Sequence, residues 1–273
     1  TVAQYLSRHN AQVTVTDLKS EAHLRPSLEH LDSSIRLVLG RHEYADFETT
    51  DMIVKNPGVP STSTFLKAAR DSDTPIETDI SLFRKLYPAT PLITITGSKG
   101  KSTTASALHY TLKHWHPDAR LGGNITRSPL AFAEELSQST PVILELSSWQ
   151  LGDLPSPAIL RPKVAILTNL LPDHQDEYDT FRHYVHDKMR MFSGQKNTDQ
   201  AIVGIDTLRW FEKPLKAREW CVGITDFQSN QAGVCIDGNR LWFQGIRESQ
   251  QHFITSSFLK GVHNLLNLAM AGL

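Results

Sequence analysis

The sequence predicts an α/β fold in two domains, and three observations carry the prediction. Short apolar runs, among them Leu92-Ile93-Thr94-Ile95, Val142-Ile143-Leu144 and Val164-Ala165-Ile166-Leu167, alternate with segments of helical periodicity. That is the pattern of strands buried on both faces of a mostly parallel sheet. One run turns through Gly97 and Gly100 into Lys101-Ser102 and a helical segment. Finally, Tyr87-Pro88-Ala89-Thr90-Pro91 sets two prolines around a short polar step and divides the chain into residues 1–90 and 91–273.

With 273 residues, 40% of them hydrophobic, the chain can bury the cores of two ordinary domains. A net charge of −1, without a basic stripe interleaved with aromatics, argues against a nucleic-acid partner. No apolar run reaches the roughly 18 residues of a membrane span, and no basic-then-apolar leader is present, so a cytoplasmic location is expected. Cys221 and Cys235 lack metal-ligand spacing and read as buried thiols, with a disulfide as the alternative. The chain opens at Thr1 in what looks like the middle of a helix, so an upstream segment is expected to be missing.

In the first part, a helix over residues 2–9 precedes a strand over Gln12–Asp17. An acid ending the second strand of a dinucleotide-binding fold accepts ribose hydroxyls, which makes Asp17 and Leu18 nucleotide-site candidates. The glycine fingerprint that should come before is absent, and Asp17 as a plain turn-former is the alternative. Strands follow at Ile35–Leu39 and Asp51–Lys55, the second entering the rigid turn Asn56-Pro57-Gly58-Val59-Pro60. A turn at a strand's carboxyl end favours a ligand loop. A helix over Thr62–Arg70, a strand over Pro75–Thr78, and a helix Ile80–Leu86 capped by Asp79 complete this part.

In the second part, Gly97, Ser98, Lys99, Gly100, Lys101, Ser102 and Thr103 read as a phosphate-binding loop. Small residues let backbone N–H groups approach phosphate oxygens, the helix N-terminus adds positive potential, Lys101 is a point charge, and Ser102 can ligate Mg²⁺. Ile95 stands where the general pattern has a glycine. Beyond it come a helix Thr103–Trp115, a tight turn Gly122–Thr126 and a helix Leu130–Leu136. Glu145 interrupts the next apolar run and is a Mg²⁺-ligand candidate, with an ion-paired or edge-strand glutamate as the alternative. His174, after the following strand, is a metal or phosphate candidate or an ordinary loop histidine. On the helix Asp179–Phe192, Lys188 falls on the apolar stripe of Phe181, Tyr184, Val185 and Phe192, and must snorkel or meet a carboxylate or something unusual. Later elements are a strand Ala201–Ile205 with Asp206 capping Thr207–Phe211, a strand Trp220–Val222, a hairpin joined through Asp237-Gly238-Asn239-Arg240, and a helix Val262–Gly272. There Asn264 and Asn267 share a face, suited to a base edge or to capping and solvent.

Taken together, several of these segments resemble the Mur ligases. Thr96-Gly97-Ser98-Lys99-Gly100-Lys101-Ser102-Thr103 is similar to the family's T-G-[ST]-x-G-K-[ST]-T loop, which also lacks the first glycine. Gly122-Gly123-Asn124-Ile125 resembles its G-G-N-I turn, Pro172-Asp173-His174 with Asp176 its D-H-x-D loop, and Gly261-Val262-His263-Asn264 with Asn267 its G-x-H-N-x-x-N. Glu145-Leu146-Ser147-Ser148-Trp149-Gln150-Leu151 is similar to E-L-S-S-[FW]-Q-L, the form of the D-glutamate-adding branch. Lys188 matches the lysine that the family carbamylates to N6-carboxylysine.

The resemblance implies a truncated Rossmann-like N-terminal domain that binds a UDP-substrate over residues 1–90. A P-loop mononucleotide-binding central domain would follow over 91–273, with a mostly parallel sheet and a small antiparallel hairpin. An acceptor domain is expected beyond the chain, leaving this piece alone inactive. The implied activity is ATP-dependent amide ligation in peptidoglycan precursor synthesis, and so in cell wall biogenesis, cell shape and cell division. It joins D-glutamate to UDP-N-acetylmuramoyl-L-alanine through an acyl-phosphate. Lys101, His174 and Lys188 would be catalytic; Ser102, Glu145, His174 and carbamylated Lys188 would hold two Mg²⁺. Asn264 and Asn267 would meet the adenine of ATP; Asn124, Ser147 and Gln150 the muramoyl-peptide; Asp17, Leu18, Asn56, Pro57 and Gly58 the uracil nucleotide. The partners are these small molecules, with a monomer expected. A nucleotide-binding piece without turnover and another Mur or folylpolyglutamate-type ligase are the alternatives. Lys99 and Thr126 depart from the family pattern, where asparagine and glycine are usual.

Overall fold

A computed structural model describes residues 1–125, 127–172, 178–224, 232–237, 240–245, 250–253 and 261–273. They form two compact units. The first comprises Thr1–Leu86, Ser128–Glu135 and Asp153–Pro155, and the second Tyr87–Arg127, Leu136–Gly152 and Ser156–Leu273.

In the first unit the order is α1 (Val2–Arg8), β1 (Thr14–Asp17), α2 (Glu21–Leu28), β2 (Arg36–Leu39), α3 (Ala45–Glu48), β3 (Ile53–Val54), α4 (Thr64–Asp71), β4 (Ile76–Glu77) and α5 (Asp79–Leu86). β1 pairs in parallel with β2, and β3 with β4. Phe47, Leu66 and Ala69 form a buried cluster on which Ile53, Val59, Phe65 and Ile76 pack. Helix α2 buries none of its residues and carries Pro26, which is why no apolar periodicity announces it.

Thr78, rather than Asp79, caps α5. The Ser81 N–H donates to Thr78 Oγ1 at 3.1 Å and the Thr78 N–H to Ser81 Oγ at 2.8 Å, a reciprocal capping arrangement. Asp79 lies inside the first turn, where the helix dipole favours an acid. The expected helix Leu130–Leu136 is instead two single 3₁₀ turns, Pro129–Ala131 and Ala133–Glu135. Phe132 between them leaves helical geometry at φ −130°.

The second unit is built on β5 (Leu92–Thr96), α6 (Lys101–Leu112), β6 (Arg120–Gly123), β7 (Val142–Glu145), α7 (Ser148–Gly152), β8 (Val164–Leu167), α8 (Phe181–Met189), β9 (Gln200–Gly204), β10 (Arg218–Gly223), β11 (Gly233–Asp237), β12 (Arg240–Gln244), β13 (Gln250–Phe253) and α9 (Val262–Gly272). Among the described residues these strands form one nine-stranded sheet, ordered β13-β12-β11-β10-β9-β8-β5-β7-β6. From β6 through β11 neighbours run parallel, whereas β12 and β13 are antiparallel. The α/β class, the mostly parallel sheet and the hairpin therefore stand as read from the sequence.

Ile95, Ile143, Ile166 and Ile202, one from each of four neighbouring strands, are buried together against Ala105 of α6 and Ala269 and Met270 of α9. Each such isoleucine contributes about 1.5–3 kcal/mol of hydrophobic stabilisation. Gly122 and Gly123 end strand β6 instead of forming a turn, and Thr126 lies outside the described residues, as do Gly238 and Asn239 of the hairpin. Asp206 caps no helix. It lies within a 3₁₀ segment, Ile205–Trp210, whose Thr207 Oγ1 donates to the Gly204 carbonyl at 2.7 Å. Cys221 and Cys235 are buried and not joined in a disulfide. Burial, reinforced by Glu219, pushes the Cys221 thiol up to about 12. Among the described residues no helix is long and apolar enough to cross a membrane.

Burial also raises the Asp79 carboxyl above its ordinary 3.8, and its Oδ1 has no hydrogen-bond partner among the described residues. As pH rises through 3.8 the unfolded chain therefore ionises first, and the folded state loses stability until its own raised pKa is passed. Asp79→Asn is expected to stabilise the protein at neutral pH, with the gain vanishing below 3.8. Denaturant midpoints across that pH range check it; a variant less stable at neutral pH contradicts it.

Candidate functional site

Strand β5 lies at a switch point. The chain passes from it to β6 and back to β7 on one side, then continues as β8 and β9 on the other. Open parallel sheets bind ligands at the carboxyl ends of strands where the order reverses. The loop after β5 emerges there, and Gly100, left-handed at φ 85°, starts α6.

The end of β8 braces this loop. Thr168 Oγ1 donates to the Lys99 carbonyl at 2.6 Å, Asn169 Nδ2 donates to the same carbonyl at 3.0 Å, and the Lys99 N–H donates to Asn169 Oδ1 at 2.9 Å. A methyl on Gly97 would run into Thr168 Oγ1, so only glycine allows this approach. Buried Ser98 receives the Leu171 N–H at 2.8 Å and lies 2.8 Å from the Tyr184 hydroxyl of α8.

Two lysines converge on one carbonyl. Lys101 Nζ donates to Gly97 O at 2.9 Å and to Ser98 O at 3.1 Å, and Lys188 Nζ reaches the same Gly97 O at 2.9 Å. Lys188 does not snorkel. It is 2% exposed, with its ammonium 4.5 Å from the centre of the Tyr184 ring.

On the other side of β5, Glu145 pairs in register with Ile95 and is 1% exposed. Its Oε1 accepts from Asn124 Nδ2 at 3.1 Å, and its Oε2 is buried without a hydrogen-bond partner among the described residues. Gly123, at φ +95°, brings the end of β6 so close to the Glu145 carbonyl that a side chain there would clash. A buried, half-satisfied carboxylate is costly unless a cation completes it. Glu145 thus fits a hard divalent ion, as does the exposed Ser102 hydroxyl on the first turn of α6. Among the described residues no group of three His, Cys, Asp or Glu side chains forms a metal cage, and His174 lies outside them.

Ser147 and Gln150 form a second reciprocal cap. The Ser147 N–H donates to Gln150 Oε1 at 3.0 Å, and the Gln150 N–H to Ser147 Oγ at 3.2 Å. On α9, Asn267 is 4% exposed, and its amide abuts Gly100 so closely that a methyl there would clash. Asn267 therefore touches the loop itself, whereas Asn264 is only half-buried. In the first unit, Asp17 ends β1 and accepts the Lys19 N–H at 2.8 Å, with Leu18 exposed beside it. Asn56, Pro57 and Gly58 come shortly after β3, which pairs only with β4 in a separate two-stranded sheet among the described residues.

Asp187 was not anticipated from the sequence. It is buried beside Lys188, its Oδ2 accepts from the Tyr178 hydroxyl at 3.1 Å, and it faces Gly152 of α7. Burial pushes the Tyr178 phenol well above its ordinary range, so it remains a donor.

Comparison with known proteins now bears on this geometry. A family model described as Mur ligase middle domain matches residues 95–273, and one described as Mur ligase MurD-like, N-terminal domain matches residues 1–78. The chain belongs to the Mur ligase family. Among its curated relatives, the UDP-N-acetylmuramoylalanine--D-glutamate ligase of Borreliella afzelii (strain PKo) is 44% identical over 197 residues, 71% of this chain and 42% of the relative. That of Roseiflexus sp. (strain RS-1) is 38% identical over 280 residues, 99% of this chain and 60% of the relative. The chain thus spans 42% to 60% of the length of these two Mur ligases. Among solved structures, UDP-N-acetylmuramate:L-alanyl-gamma-D-glutamyl-meso-diaminopimelate ligase from Neisseria meningitides matches with a TM-score of 0.66 at 15% identity, covering 99% of this chain and 87% of that one. MurF from Acinetobacter baumannii matches with a TM-score of 0.55 at 16% identity, covering 99% and 63%. At such identities the likeness is one of fold, and it places the two-domain α/β architecture among Mur ligases.

A methyl on Gly152 would stand 2.6 Å from Asp187 Oδ2 and 2.9 Å from its Cγ. Gly152→Ala is therefore expected to cost about 1–3 kcal/mol of stability through overpacking. Adding Asp187→Ala should recover part of the loss, and a double-mutant cycle in urea reads the coupling; strictly additive losses would show that the two sites do not meet.

Proposed function

We propose that this chain is the UDP-substrate- and ATP-binding part of an ATP-dependent ligase of peptidoglycan precursor synthesis, acting in the cytoplasm as a monomer. It would join D-glutamate to UDP-N-acetylmuramoyl-L-alanine. One observation supports the ligase reading above all. A phosphate-type loop with two lysine ammonium groups on the Gly97 carbonyl stands beside a strand ending in a buried, half-satisfied Glu145. The choice of acceptor rests on the curated relatives, which carry the D-glutamate name at 32% to 44% identity.

Residues 1–90 would bind the uridine nucleotide through Asp17, Leu18, Asn56, Pro57 and Gly58, and residues 91–273 would bind ATP. The backbone of Gly97–Gly100 and the Lys101 ammonium would hold the β- and γ-phosphates and counter the charge that develops on them. Asn267, already against the loop, and Asn264 would orient the nucleoside. Asn124, Ser147 and Gln150 would place the muramoyl-peptide carboxylate; Ser147 keeps its O–H and Gln150 its NH₂ after their mutual capping bonds. Ser102 and Glu145 would hold one Mg²⁺, and His174 with a carbamylated Lys188 the other. When bound, these ions neutralise phosphate and carboxylate charge so that one can approach the other. Carbamylation suits a lysine held at 2% exposure, because it turns a buried ammonium into an oxygen ligand for a hard cation. The acceptor amine would then attack an acyl-phosphate and release phosphate.

The deciding experiment measures phosphate release and amide product in the protein containing this chain. Product that needs both UDP-N-acetylmuramoyl-L-alanine and D-glutamate is expected. Product with other amino acids but not D-glutamate would overturn the branch, and ATP binding without product would favour a nucleotide-binding role. Glu145→Gln is expected to abolish the extra thermal stabilisation that Mg²⁺ gives to ATP binding; retention of that increment would remove Glu145 from the metal site. Intact mass in bicarbonate should show a CO₂ adduct on Lys188, and an unmodified lysine at alkaline pH argues against the carbamate.

A further inference from the structure

Lys55 stands directly before the Asn56-Pro57-Gly58 turn and is only 7% exposed. A buried ammonium needs an anion. The acid across the sheet, Glu77, receives the Lys55 backbone N–H on its main-chain carbonyl at 2.7 Å. Its carboxylate, however, is engaged elsewhere: Oε2 accepts from Ser81 Oγ at 2.6 Å, and Oε1 pairs with Lys85. Lys55 Nζ pairs instead with Asp153 Oδ2, 98 residues along the chain. The two side chains are 5% and 16% exposed, and both residues belong to the first unit.

This pair compensates for a short ladder. Strands β3 and β4 have two residues each, too few to fix the turn that follows. On the far side of the turn, the Val59 N–H closes onto the Asn56 carbonyl at 3.0 Å, and Val59 packs on the Phe47, Leu66 and Ala69 cluster. The tip, with Asn56 and Gly58 exposed, is thereby suspended between two anchors, apolar at the half-buried Val59 and ionic at the buried Lys55.

We infer that the Lys55–Asp153 ion pair positions the Asn56-Pro57-Gly58 turn for its ligand, the nucleoside diphosphate end of the substrate. Uridine nucleotide affinity then depends on residue 153, which need not touch the nucleotide. The inference rests on the proposed assignment of this turn to the uracil nucleotide. Lys55 and Asp153 are positioning residues, so the test must separate their effect from a general loss of structure.

UDP and ADP are titrated separately, by calorimetry, into the protein containing this chain and into its variants Lys55→Met, Asp153→Asn and the exchanged pair Lys55→Asp/Asp153→Lys. Each single variant is expected to weaken UDP about tenfold while ADP is unchanged, and the exchanged pair to recover most of the UDP affinity. Asp153→Asn retains a hydrogen-bond acceptor for Lys55 and keeps the comparison usable where Lys55→Met fails to fold. Unchanged UDP affinity in the single variants overturns the inference and leaves the proposed function standing. Parallel loss of UDP and ADP affinity, or no recovery in the exchanged pair, also overturns it. A wild-type chain that binds ADP but no UDP overturns the reading of the turn, and the inference with it.

Discussion

The contact between the end of β8 and the loop after β5 is the constraint on which the second unit's site depends. A loop meant to present backbone N–H groups to an anion cannot spend them on itself, so its shape must be held from outside. Thr168 and Asn169 do this by taking up the Lys99 carbonyl twice, and Asn169 also takes the Lys99 N–H on its Oδ1 and the Ser98 N–H on its carbonyl, so these two N–H groups brace the loop instead of facing an anion. The contact requires parallel β5 and β8 as direct neighbours, and it requires Gly97 to lack a side chain. Sheet order, strand direction and one glycine are therefore linked conditions.

The same parsimony shows where polar side chains do two things. Ser147 and Gln150 belong to a segment read as substrate-binding, yet each caps the other's backbone at the start of α7. A five-residue helix cannot hold itself together by propagation, and the reciprocal cap supplies what length does not. The cap also fixes both side chains in one rotamer, which is what a positioned hydrogen-bonding pair needs.

The legible parts of the fold were those with local signatures. Strands β5, β7 and β8 are continuous apolar runs, and the glycine–lysine–serine loop has a fixed spacing. Lys188 could be singled out because a cation breaks a helical stripe, but its end point on the Gly97 carbonyl depends on a contact 91 residues away. Asp187 gave no such signal: nothing local distinguishes a surface aspartate from one buried between Tyr178 and Gly152. The cap of α5 lies one residue earlier than an acid standing before an apolar run suggests. The reciprocal Thr78–Ser81 pattern was nevertheless there to be found.

Charge is distributed across β5 with opposite signs on its two sides. Toward α6 and α8, Lys101 and the unmodified Lys188 both donate to the Gly97 carbonyl, and Lys101 is the ammonium that remains at the loop once Lys188 carries the proposed carbamate. Toward β7, a carboxylate oxygen is buried with no donor to meet it among the described residues. The first environment suits a phosphate and the second a hard cation, and a cation-bound polyphosphate requires both within a few strands' width. Neither half makes sense as stabilisation of the fold alone, because an unsatisfied buried carboxylate weakens a protein unless something completes it. The register that sets Ile95 opposite Glu145 puts the loop and the carboxylate on adjacent strand ends, so the pairing of β5 with β7 fixes their separation.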